Sequence, residues 1–96
     1  MQAHSFTKMV HFTRLIKAGG RLREFNLRKL RLPESPDAEL FSVDTVDDRG
    51  NRIIFRYKKE SNGSWNIVPQ GQPLFNWIHE VEPQLQQQIE NELHGG

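Results

Sequence analysis

From Phe41 to Ile67 apolar side chains recur at every second position, and two glycine-bearing turns interrupt the run. Phe41, Val43 and Thr45 alternate with Ser42 and Asp44, the spacing of a strand buried on one face only. Asp48-Arg49-Gly50-Asn51 supplies turn residues, with Gly50 free to take a positive φ. Ile53, Phe55 and Tyr57 then repeat at spacing two, while Arg56 and Lys58 point the other way. Ser61-Asn62-Gly63 reads as a second turn, and Trp65 and Ile67 as a short strand ahead of Pro69. Connections this short join antiparallel neighbours, so the pattern predicts a three-stranded meander.

The N-terminal third extends that sheet. Gly19-Gly20 suits a tight hairpin turn between Met9–Ile16 and Leu22–Leu32. Phe6, Met9, Val10, Thr13 and Ile16 also fit helical spacing, but Val, Phe, Thr and Ile dominate and strong helix formers are few, which selects strands. Phe25 and Leu27 share one side of the second segment, and Leu30 and Leu32 the other; a bulge near Arg28-Lys29 accommodates the switch. Pro33 and Pro36 mark a connecting loop. At the other end Leu74, Trp77, Ile78, Val81, Leu85, Ile89 and Leu93 recur at three- and four-residue steps opposite Gln, Glu and Asn, an amphipathic helix. Pro83 cannot donate to the carbonyl four residues back, which predicts a kink or two abutting helices. Trp77 is expected to anchor this helix to the sheet. The whole reads as one α+β domain over 1–96, an antiparallel meander of about five strands with a C-terminal helix packed on one face.

Composition narrows function chiefly by exclusion. The chain has no cysteine, which rules out disulfides, thiolate catalysis and thiolate metal sites, and points to a reducing, cytoplasmic setting. No apolar run reaches the ~18 residues of a membrane helix. Ser5, Ser35, Ser42, Ser61 and Ser64 stand in no nucleophile-elbow context, and Gly19-Gly20 precedes a strand rather than a phosphate-binding helix. His79 with Glu80 or Glu82 is the nearest approach to metal-ligand spacing, and Asp44, Asp47 and Asp48 lack the calcium-loop pattern. No cofactor and no enzymatic activity are expected.

Charge is balanced overall, at a net +1, but segregated along the chain. Lys8, Arg14, Lys17, Arg21, Arg23, Arg28, Lys29 and Arg31 face only Glu24 within the first third, whereas the C-terminal quarter carries four glutamates and no lysine or arginine. Such blocks pair when their elements become neighbours. Should Arg21, Arg23, Arg28, Lys29 and Arg31 share a surface, they make a positive stripe able to track phosphates, with Phe25, Tyr57 or Trp65 as stacking platforms for unpaired bases. In architecture alone, a meander followed by a helix resembles the PUR-type repeats that bind single-stranded nucleic acid; no motif residue carries over. The other expectation is a module that binds a protein or its own copy through the sheet face or an exposed sheet edge. Leu30, Leu32, Ile54 and Phe75 are the candidate partner surface, on the sheet face the helix leaves open or beside the helix itself.

Overall fold

The structure, a computed structural model, describes residues 10–94, with the side chains of residues 35–37 excepted. Phe6 and Met9, expected in the first strand, lie outside the described residues. Five strands follow one another in space as they do in sequence: β1 (His11–Ala18), β2 (Arg21–Leu32), β3 (Ser35–Val46), β4 (Arg52–Lys59) and β5 (Trp65–Pro69), every pair antiparallel. Two helices, α1 (Asn76–Glu80) and α2 (Glu82–His94), close the chain against one face.

The turns fix the register. Gly19 and Gly20 both have positive φ (61° and 79°), the geometry of a two-residue type I′ hairpin whose twist matches its strands. The β3–β4 and β4–β5 hairpins share a different design. In each, a glycine N–H returns to the carbonyl three residues back (Gly50 to Asp47, Gly63 to Glu60), and only that glycine is left-handed. This is a type I turn followed by a glycine bulge. Asn62 therefore contributes through its side chain, whose Oδ1 accepts from the Ser64 N–H at 3.0 Å, rather than through left-handed backbone.

Two expectations need correction. The loop predicted around Pro33 and Pro36 is only the two-residue turn Pro33-Glu34, and β3 already begins at Ser35. Pro33 pre-sets φ at the second position of that turn, so proline nucleates the hairpin instead of lengthening a loop. The irregularity in β2 falls between Leu30 and Leu32, not at Arg28-Lys29. Lys29 stays in register with Phe41, so alternation continues two residues further than the apolar pattern suggested.

Alternation sorts the side chains onto two faces. Phe12, Ile16, Ala18, Phe25, Leu27, Phe41, Val43, Ile53, Phe55, Tyr57 and Trp65 form the covered face and meet Ile78, Val81, Leu85 and Ile89 from the helices. The helix breaks at Val81, two residues ahead of Pro83, because proline has no N–H to offer the His79 carbonyl. Trp77 is only half-buried, since it lies over the Gly19 turn at the margin of the sheet rather than above its centre. The buried anchors are the four aliphatics after it. Charge segregation resolves into pairing: Arg14 of β1 bonds Glu92 (2.7 Å) and Gln88 (3.0 Å) of α2, and Lys59 meets Glu39 at 3.4 Å.

Candidate interaction surface

The uncovered face of the sheet carries the second half of every alternating strand. Across it run Leu30, Leu40 and Lys58 in one row, Arg28, Ser42, Arg56 and Val68 in the next, then Asn26, Asp44 and Ile54. A groove of about 410 Å³ opens here, lined by Arg28, Leu30, Ser42, Arg52, Ile54, Arg56, Gln70 and Gln72. Its lining holds three guanidinium groups and two aliphatic side chains, with Ser42 between Arg28 and Arg56. Arg52 meets Asp44 at 3.2 Å, whereas Arg28 and Arg56 have no carboxylate partner among the described residues. An arginine without a carboxylate partner keeps its donor fork for a ligand.

A second feature adjoins the groove. Leu15, Leu22 and Val46 are 65%, 66% and 48% exposed. All three alternate onto this face: Leu15 stands opposite Glu24, Leu22 opposite Lys17, and Val46 opposite Arg52. Three aliphatics this exposed on one sheet face, interleaved with Glu24 and Lys17, mark apolar surface beside a basic groove. The sequence contained the signal, since Leu22 and Val46 fall out of phase with the buried set. They were missed because apolar residues at strand ends look like frayed core.

The residues expected to bind nucleic acid do not share one face. Arg28 lines the groove, but Lys29 alternates away from it and Arg31 sits exposed at the register shift. Arg21 and Arg23 both bond Asp48 Oδ1 at 2.9 Å. Arg23 is buried, donates from Nε to the Ala18 carbonyl at 2.7 Å and lies over the Trp77 ring. Strand β4, rather than the first hairpin, supplies the other two groove arginines. The proposed stacking platforms Phe25, Tyr57 and Trp65 are all buried on the helix side.

Of the apolar candidates, Leu30 and Ile54 line the groove. Leu32 is half-buried at the tip of the β2–β3 hairpin, in register with Ser35. Phe75 is 48% exposed and stacks on Trp77 with ring centroids 5.8 Å apart, beside the 47–51 hairpin and away from the groove. The carboxylates considered for a cation are each otherwise engaged. Asp44 accepts from Asn26 and Arg52, Asp48 from Arg21 and Arg23, and Asp47 from the Arg49 and Asn51 backbone. The Asn51 N–H bond is the chief reason the Asp47 carboxyl is held below its ordinary pKa. Among the described residues no group of three potential ligands converges. His79 and Glu82 form a loose surface pair at 3.9 Å. Comparison with known proteins finds no family model, no curated protein and no solved structure that matches the chain.

Proposed function

We propose that this chain is a non-catalytic binding module whose open sheet face takes an acidic, partly apolar segment of a partner protein. The carrying observation is the pair Arg28 and Arg56, which have no carboxylate partner among the described residues and line the groove together with Leu30 and Ile54. Bidentate guanidinium–carboxylate bonds give such a surface both orientation and strength. The neighbouring aliphatics Leu15, Leu22 and Val46 supply apolar area that charge alone does not. A binding role fits the groove lining, which consists of arginines, amides, a serine and aliphatics. A protein segment is favoured over single-stranded nucleic acid because the aromatic rings that would stack on bases lie on the covered side.

The test uses a fluorescent peptide of alternating glutamate and leucine, with a lysine–leucine peptide and a single-stranded oligonucleotide as comparisons. The acidic peptide should bind at low salt and weaken as salt screens the guanidinium contacts. Replacing both Arg28→Glu and Arg56→Glu should weaken it by at least about tenfold, roughly 1.4 kcal/mol, with an unchanged melting temperature. Equal binding by wild type and the double variant would remove the proposal. So would tighter binding of the oligonucleotide than of the acidic peptide.

A further inference from the structure

One edge of the groove is an unfinished strand pairing. β5 pairs with β4 only from Lys59↔Trp65 to Phe55↔Pro69, whereas β4 begins at Arg52. The first three residues of β4 therefore run past the end of β5, on the side where a neighbouring strand would lie. Pro69, opposite Phe55, is the last residue of β5. The chain then leaves the sheet through Gln70-Gly71-Gln72, where Gly71 takes φ +86°.

The bare stretch of β4 is covered by one side chain. The Ile54 N–H donates to Gln72 Oε1 at 3.1 Å, and Gln72 Nε2 donates to the Arg52 carbonyl at 3.3 Å. A side-chain amide thus occupies the hydrogen-bonding positions of a missing strand. Both bonds are exposed, and Gln72 is held by irregular chain rather than by a helix or strand. The covering is consequently easy to exchange for backbone amides, which offer the same donors and acceptors in a longer row.

We propose that an extended acidic segment of the partner adds as a strand to β4 at Arg52–Ile54, displacing the Gln72 amide. This inference rests on the reading of the open face as an acidic-segment site and specifies how the segment docks. A strand placed there lies along the groove wall formed by Arg52, Ile54, Gln70 and Gln72. Its side chains alternate between the two faces, so every second one points to the open face where Arg28, Arg52 and Arg56 stand. Main-chain bonds then supply affinity, and the arginines select carboxylates at alternate positions.

The alternating glutamate–leucine peptide is titrated against wild type and Gln72→Ala, and again with the peptide N-methylated at every second backbone nitrogen. Strand addition predicts that Gln72→Ala, which removes the competing amide, tightens binding by about three- to tenfold. It also predicts that N-methylation on the pairing edge abolishes binding, and that bound peptide slows hydrogen exchange of the Ile54 amide in the wild-type protein. Unchanged affinity in Gln72→Ala together with full binding of the N-methylated peptide would overturn strand addition. If the Arg28→Glu/Arg56→Glu variant still loses binding in that case, the open-face reading survives its loss. A peptide that never binds removes both.

Discussion

The Arg23 guanidinium lies 3.9 Å from the centroid of the Trp77 ring, and it fastens the first hairpin to the start of the helical segment. The same group donates to the Ala18 carbonyl and to Asp48, so one buried side chain joins β1, β2, the β3–β4 hairpin and α1. Lysine cannot reproduce this, because it lacks both the planar face and the fixed fork. Arg23→Ala should cost about 2–3 kcal/mol, from lost charged hydrogen bonds and the ring contact. Arg23→Lys should recover less than half of that in chemical denaturation.

Gly19 is constrained twice, by its φ of +61° and by Trp77, whose Cγ would stand 2.9 Å from an added Cβ. Gly20 has a similar φ, but open space around it. Gly20→Ala should therefore cost about 1–2 kcal/mol from backbone strain alone, and Gly19→Ala distinctly more. A Trp77→Ala background removes the ring atoms but keeps the Cβ at 3.1 Å, so it should narrow the gap between the two glycine substitutions without closing it, measured as a double-mutant cycle.

The helix-to-sheet contact is tested at the aliphatics rather than at the tryptophan. Ile78→Ala or Leu85→Ala should each cost about 2–5 kcal/mol, because both side chains are fully buried. Half-buried Trp77→Ala should cost less, about 1–2 kcal/mol. A tryptophan variant less stable than either aliphatic variant would show that the margin of the sheet, not its centre, holds the helix.

The chain's single tyrosine gives a pH prediction with a clean readout. Tyr57 lies against Trp65, and its hydroxyl donates to the Glu82 carbonyl at 2.9 Å. Burial, and secondarily the nearby Glu82 and Glu90 charges, push the phenol well above its ordinary pKa. A raised pKa in the folded state means the neutral form is the one that folding favours. Its contribution to stability is whole below about pH 10, the ordinary phenol value, and is lost as pH rises above it. Absorbance of the phenolate should accordingly appear together with unfolding. Tyr57→Phe should flatten the alkaline loss of stability, while costing about 1–2 kcal/mol at neutral pH for the abandoned carbonyl.

Much of this architecture is legible in the chain because period-two alternation, glycine turns and a helical stripe all agree. Phe41 to Ile67 yields its strands directly, since the buried and exposed sets separate without conflict and Gly50 and Gly63 take the left-handed positions. What was hidden depends on long-range pairing. The apolar sequence of β2 does not say where its register shifts, and Pro36 does not declare that it sits in a strand. The groove draws Arg28 from β2 and Arg52 and Arg56 from β4, residues brought onto one face only by the intervening β3. Arginines clustered in sequence, by contrast, alternate onto opposite faces once they enter a strand. Arg23 illustrates the cost of reading charge as exposure, because its partners come from three other elements.

The most direct test is to map the backbone amide resonances of the wild-type protein as the acidic glutamate–leucine peptide is added. Docking on the open face predicts shifts concentrated at Arg28, Ser42, Arg52, Ile54, Arg56 and Gln72, with the buried amides of α2 unmoved. Shifts confined to the helices, or to the Phe75 and Trp77 region, would contradict it.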